Sequence, residues 1–280
     1  MSEGAVSDED FAYVRQLMYA AAGLVLDPDK AYLVETRLQK LLRANQTDVA
    51  GLVARLRSGG DSWLRTAVVE AMAIQETYFF RDPWLFDSLR EEVLPGLIKA
   101  RESSRQLRIW CGAASTGQEI YSLCLMLREE FPQLMDWDLQ IYASDFSLVA
   151  LERAQAGRYS MPEVNRGLPA RLLMKYFTQV GLEWELHREV RRMVTFLPLN
   201  LVQEWPELPV FDVVLLRNVL IYFDEGTRRD VLARVRRLMQ DDACLFLGAT
   251  ESPLGLMTDF RSNAARGGTY YRIVGRGNSR

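Results

Sequence analysis

Three stretches of the chain place polar side chains where apolar runs end, and each suggests a chemistry. The first is RIWCGAASTGQEIYS at 108–122. An apolar run enters the small residues Gly112, Ala113 and Ala114, and a helical pattern follows. Small residues let a ligand approach the backbone closely. The carboxyl ends of parallel strands are where open α/β sheets bind ligands. Neither GKS/GKT nor GxGxxG is present, which argues against a triphosphate P-loop and a dinucleotide fingerprint. A tight strand-to-helix turn without a ligand is the plainer reading. Glu119 opens the helix, where the helix dipole alone would favour an acid. Asp145 closes a second apolar run. There it could accept hydrogen bonds from ribose hydroxyls or cap the next helix.

The second stretch is QETYFFRDPWLF at 75–86. Five of the nine residues from Tyr78 to Phe86 are aromatic, with Arg81 among them. Aromatic faces stabilise a cation such as a sulfonium, and Arg81 could hold an anionic acceptor beside it. An aromatic plug with Arg81 reaching to solvent fits the same residues. The third stretch, FDVVLLRNVLIYF at 211–223, delivers Arg217 and Asn218 at the end of a buried strand, with Tyr222 four residues beyond Asn218. Such a polar pair is costly there unless it is hydrogen-bonded. Asn200 and Leu201 end a further apolar run in a similar place.

These residues must be carried by elements that the pattern makes visible. Before residue 105 the chain reads as helical. Phe11, Val14, Leu17 and Met18 recur at helical spacing after Asp8, and Gly23 can end that helix. Pro28 can begin the next, with Asp27 as its cap. A second helix over 30–43 carries Val34, Leu38, Leu41 and Leu42 on one side and Arg37, Lys40 and Arg43 on another. Helices are also expected at 49–56 and 62–73. Beyond residue 105, strands are expected at 107–111, 139–143, 194–199, 211–216, 244–248 and 269–274, with helices at 119–130 and 228–239. This alternation implies a doubly wound, mostly parallel sheet. Leu182, Trp184 and Leu186 alternate with polar residues, the period of a half-exposed antiparallel strand. They suggest a small β-hairpin insert at about 178–193. The implied division is a helical N-terminal domain over 1–74, a linker over 75–90 contributing to the ligand pocket, and a catalytic domain over 91–280. Residues 275–280 are expected to fray.

Composition narrows the function classes. The 280 residues carry a formal charge of -3, so no basic field argues for nucleic acid. Cys111, Cys124 and Cys244 stand singly, without a CxxC pair, and suggest a reducing cytoplasm rather than a zinc or redox site. His187 is the only histidine, which removes multi-histidine metal sites and leaves little scope for Ser-His-Asp or Cys-His catalysis. No metal is therefore expected. No apolar run approaches a membrane span, so no membrane insertion is expected.

QETYFFRD, RIWCGAASTGQEIYS, ASDFS, PLNL, RNVLIYF and GATES, in this order and spacing, resemble the CheR family of chemoreceptor glutamate methyltransferases. The likeness covers nearly the whole chain. It implies a Rossmann-like methyltransferase sheet with an all-helical N-terminal domain and a small antiparallel insert. It implies S-adenosylmethionine as cofactor and glutamate carboxylates on the cytoplasmic helical region of chemoreceptors as acceptors. Cofactor binding is implied for Gln75, Thr77, Arg81, Ala113, Glu119, Asp145, Asn200, Leu201, Arg217 and Asn218. The positions of Arg81 and Tyr222 are implied to lie near the transferred methyl group. Arg37, Lys40 and Arg43 are the local candidates for receptor binding, with a solvated helix face as the plainer alternative. Two departures stand out. Gln75 replaces a common Asn, although either amide donates and accepts, and GATES replaces the more usual GHSE. The segment 178–190 holds one glycine, Gly181, with no room for the longer glycine loop by which some members dock a receptor C-terminal pentapeptide. Independence of that tether is expected, as is a monomer. Competing readings are a methyltransferase of this fold with another acceptor and a non-catalytic cofactor-binding regulator. A nicotinamide dehydrogenase would need the glycine fingerprint.

Overall fold

The computed structural model describes residues 6–59 and 62–274, so the expected fraying at 275–280 lies outside the described residues. The chain forms two compact units, Met1–Ile74 with Tyr222–Thr227, and Gln75–Ile221 with Arg228–Arg280.

The first unit is helical: α1 (Asp8–Ala22), α2 (Tyr32–Ala44), α3 (Val49–Arg57) and α4 (Ser62–Met72). The Ser7 side chain caps α1 by accepting from the Asp10 N–H, and Gly23 ends it with a left-handed φ of 68°. Phe11, Val14, Leu17 and Met18 are buried along one face of α1. Pro28–Lys30 forms a separate 3-10 turn instead of opening α2. Asp27 makes no capping bond and pairs with Lys30 at 2.5 Å. Arg37 is half-buried and donates to the Met72 carbonyl at 2.7 Å, closing the end of α4. Lys40 and Arg43 are exposed. Tyr222–Thr227 packs with these helices. The Tyr222 carbonyl accepts from the Val25 N–H at 2.8 Å, and the Tyr19 hydroxyl donates to Asp224 at 2.8 Å.

The second unit is built on a seven-stranded sheet and a small three-stranded one. In chain order the strands are β1 (Gln106–Gly112), β2 (Asp138–Asp145), β3 (Arg158–Ser160), β4 (Phe177–Val180), β5 (Glu183–Leu186), β6 (Val194–Pro198), β7 (Phe211–Leu216), β8 (Met239–Phe246), β9 (Phe260–Ala265) and β10 (Gly268–Ile273). The large sheet runs β6-β2-β1-β7-β8-β10-β9. Its first five strands are parallel, and β10 is antiparallel to both β8 and β9. The chain winds outward from β1 through β2 to β6, then returns to the far side of β1 with β7. The switch point therefore falls between β1 and β7, where Gly112 is level with Leu216. All six residues of β7 are buried, as a strand covered on both faces requires.

The two sheets each hold a strand that the sequence expectation lacked. Strand β9 was not anticipated, because FRSNAA buries only Phe260 and lies at the sheet edge. The insert is three strands rather than a hairpin: β3 pairs antiparallel with β5, so the insert begins at Arg158 and not near 178. Three residues are too few to display a period, yet Tyr159 on β3 is fully buried. The β4–β5 connection is a two-residue turn at 181–182, in which Gly181 takes the positive φ of 63°.

The insert grips the extended segment 75–82. The Phe79 ring lies edge-on to Tyr159 at 5.0 Å and to Phe177 at 5.8 Å. Gly167, at φ 88°, sits so close that a Cβ would lie 1.9 Å from the Phe79 carbonyl oxygen. Glu129 ties the helix Gln118–Glu130 to the helix Ala170–Tyr176. It is 13% exposed and accepts from Lys175 at 2.5 Å, Tyr176 at 2.6 Å and Arg171 at 2.8 Å. Lys175 first, then Tyr176 and Arg171, hold its carboxyl down to about 2, against about 4.3 for a free Glu. A depressed pKa contributes stability above the unfolded value, lost as pH falls from about 4.3 toward about 2. Arg171 and Lys175 are 66% and 59% exposed, so solvent screening limits the gain to about 1 kcal/mol. Glu129→Gln is expected to lower the unfolding free energy by roughly that amount at pH 7 and to change it little near pH 2. Urea melts at both pH values test this, and an equal loss at both would assign the effect to packing rather than charge.

Candidate cofactor and active site

Segments 75–82, 112–119, 144–147 and 216–221 meet at the switch point, and the backbone there is unusual. Phe80 (φ 50°), Asp82 (57°), Ala113 (55°), Ser115 (52°) and Asn218 (57°) all adopt left-handed conformations without being glycine. Such conformations are uncommon for these residues and persist only where the surroundings hold them. The restraints are visible. The Ser115 N–H donates to Asp145 Oδ2 at 2.8 Å, and the Ser115 hydroxyl donates to the Gln75 carbonyl at 3.0 Å. The Phe80 N–H donates to the Ser122 hydroxyl at 2.9 Å. From the insert, the Tyr159 hydroxyl donates to the Thr116 carbonyl at 2.9 Å.

Charge is concentrated at the same place. The Arg217 side chain is only 1% exposed and is bound by the carboxylates of Asp82 and Glu119. Its guanidinium also donates to the Arg81 carbonyl at 3.4 Å. Burial pushes the Glu119 carboxyl up, and Arg217 and then Arg81 pull it back. Beneath it, the Cys111 thiol is 3.9 Å from Glu119 and is pushed well above its ordinary range by burial. Arg81 itself is partly exposed. It donates to the Glu76 carbonyl at 3.0 Å and lies 5.5 Å from the Tyr78 ring centre.

The remaining predicted residues fall as follows. Asp145 is buried, and its second oxygen accepts from the Ser147 N–H at 3.0 Å. Ser147, not Asp145, caps the following helix Leu148–Ala156. Asn200 folds its side-chain oxygen onto the Val202 N–H at 3.1 Å, and Leu201 is buried with its carbonyl bound by Trp205 at 3.1 Å. Thr77 lies partly buried between Gln75 and Arg81. Tyr222 belongs to the helical unit, as do Arg37, Lys40 and Arg43. Ser115, Gln118, Asp82 and Glu251 were not picked out from the sequence. The acid of GATES was the one legible signal among them.

Residues 9–72 match the CheR methyltransferase all-alpha domain, and residues 75–267 match the CheR methyltransferase SAM binding domain. The chain belongs to the CheR methyltransferase family. It is 38% identical over 274 residues to chemotaxis protein methyltransferase 1 of Pseudomonas aeruginosa, covering 95% of this chain and 98% of that one. Chemotaxis protein methyltransferase Cher2 of Pseudomonas putida is 34% identical, with 94% and 97% covered. The chemotaxis protein methyltransferase of Salmonella typhimurium is 33% identical, with 96% and 91% covered. The chain is thus an S-adenosylmethionine-dependent methyltransferase of this family, with the doubly wound sheet, helical domain and antiparallel insert that its motifs implied.

The switch-point residues fit that cofactor. The Gln75 side-chain oxygen is buried and accepts no hydrogen bond, as a group awaiting a donor would be. A Cβ at Gly112 would lie 2.8 Å from Leu216, so β1 and β7 close together directly beneath the loop. Asp145→Ala is expected to weaken S-adenosylhomocysteine binding by roughly 1–3 kcal/mol. Calorimetric titration of the folded variant tests this, and unchanged affinity would remove Asp145 from the site.

Proposed function

We propose that this methyltransferase acts in the cytoplasm on glutamate side chains of chemoreceptor helices, giving methyl esters. The single observation that carries this reading is the charged cluster at the switch point, in which Arg81 is the partly exposed cation beside a buried Arg217 already matched by two carboxylates. An anionic acceptor needs such a cation for orientation. The curated relatives are named chemotaxis protein methyltransferases, which agrees with a receptor acceptor.

When bound, S-adenosylmethionine supplies a methyl group made electrophilic by its sulfonium. Gln75, Thr77, Ala113, Glu119, Asp145, Asn200, Leu201, Arg217 and Asn218 would hold it. A free Glu has a pKa near 4.3 and is ionised at neutral pH, so its oxygen needs no base to become a nucleophile. His187 is occupied elsewhere, 3.2 Å from the Thr178 hydroxyl in the insert. What the chain must do is align and desolvate. Arg81 would orient the acceptor carboxylate, and we assign Tyr222 to the acceptor or methyl side by family likeness. Arg81→Ala is expected to lower turnover by on the order of a hundredfold with the fold intact. Single-turnover methylation of a receptor fragment checks this, and full activity would make the residue merely structural.

We further propose that Lys40 and Arg43 attract the receptor, while Arg37 serves the fold through the Met72 carbonyl. The two-residue turn at 181–182 supports independence of a tethering pentapeptide. One experiment covers both. Steady-state methylation is measured on receptor fragments with and without their last five residues, using wild type and a Lys40→Glu/Arg43→Glu variant. The variant should show a raised KM whose excess shrinks with salt, since exposed charges are screened over about 10 Å at 0.1 M. Truncating the receptor should leave wild-type kinetics unchanged. A KM indifferent to charge reversal, or a rate that collapses on truncation, would overturn the respective part.

A further inference from the structure

Glu251, the acid of GATES, lies outside the residues to which the family likeness assigns a role, yet it is 6% exposed and its carboxylate serves the chain next to the site. Its Oε2 accepts from the Gly248 N–H at 2.6 Å and from the Asn218 N–H at 2.7 Å. Its Oε1 accepts from the Ile221 N–H at 3.2 Å. The residue is fixed in turn: its own N–H donates to the Gly248 carbonyl at 2.9 Å, and its carbonyl accepts from the Tyr271 hydroxyl at 3.3 Å. Three convergent N–H donors match the acceptor oxygens of a carboxylate side chain. Two of the three come from the turn after β7, where Asn218 holds its left-handed φ of 57°. Without an acceptor, those N–H groups would be left unpaired next to a strained residue. Gly248 completes the fit, since a Cβ there would lie 2.7 Å from both Asn218 Nδ2 and Glu251 Oε2.

We propose that Glu251 is a positioning residue that holds the turn after β7, and with it Asn218, in the shape that binds the cofactor. The inference rests on the assignment of Asn218 to cofactor binding. In Glu251→Gln the charge is gone and one acceptor oxygen becomes an NH2 group that faces an N–H donor. Calorimetric titration with S-adenosylhomocysteine, without any acceptor, should show at least a tenfold rise in Kd for folded Glu251→Gln. Glu251→Asp keeps the charge and should recover much of the loss. Gly248→Ala keeps the charge, but its Cβ would push on both Glu251 Oε2 and Asn218 Nδ2 and should reproduce the loss; if Glu251→Gln does not fold, a Kd within twofold of wild type in Gly248→Ala would overturn the proposal. A purely structural role would lower the melting temperature of the ligand-free protein and leave Kd within twofold of wild type, which would overturn the proposal. Asn218→Ala separates the two readings. If it leaves Kd unchanged, the assignment of Asn218 fails; if it raises Kd while Glu251→Gln does not, only the role of Glu251 fails.

Discussion

A guanidinium buried to 1% exposure is the constraint around which the sheet unit is organised. Arg217 follows directly on a strand with no exposed residue, so its charge cannot reach water. An unpaired charge in that position would be prohibitive. The partners are drawn from two remote segments: Asp82 from the extended stretch before the first sheet helix, and Glu119 from the first turn of the helix after β1. Removing one partner of such a group typically costs about 3–5 kcal/mol, because it strands the remaining charge. The pairing therefore fixes three elements at the mouth of the switch point. That registration is a more secure role for buried ions than any net stabilisation.

The left-handed residues follow from the same arrangement. Ala113 and Ser115 turn the chain sharply as β1 ends, and Asp145 at the end of the neighbouring strand accepts the Ser115 N–H. Phe80 and Asp82 bring the extended segment back under Arg217, and Ser122 accepts the Phe80 N–H. Asn218 turns the chain after β7, held by Glu251. Each turn is anchored by a side chain from a different segment of the chain, so no single turn can relax alone. The insert takes part as well: through Tyr159 it supports the Thr116 carbonyl and the Phe79 ring together. It is a buttress of the site's backbone and not an appendage to the sheet.

What the sequence made legible follows the strength of each local signal. Strands β1 and β7 were visible because burial on both faces demands continuous apolar runs. Strand β3 was not, since RYS offers three residues and no period, and β9 was missed because only Phe260 of its six residues is buried. The helical face of Arg37, Lys40 and Arg43 was read from spacing alone. Spacing says nothing of what each side chain reaches, and Arg37 proved to close a neighbouring helix. Among site residues, those at strand ends were found because a polar group after an apolar run is conspicuous. Glu251 and Asp82 were passed over for the opposite reason: neither directly ends an apolar run that reads as a strand, and their importance comes from backbone N–H groups and a guanidinium distant in sequence.

The balance of charge at the switch point connects this architecture to its ligand. Asp82, Glu119, Asp145 and Glu251 contribute four carboxylates, and Arg81 and Arg217 two guanidiniums. Backbone N–H groups donate to Asp145 and Glu251 without bringing a formal counter-charge. These six groups are acidic on balance, which suits a ligand carrying net positive charge, as a sulfonium with an amino group and one carboxylate does. They disfavour a second anion. On the proposed reading, an acceptor carboxylate would approach where the local field is reversed, and the partly exposed Arg81, set against Tyr78, is a cation placed for that. If the acceptor is a glutamate as proposed, transfer removes the sulfonium charge and leaves the acceptor a neutral ester. On that reading, the charge attraction that assembled the pair would be weakened on both sides once the methyl group has moved.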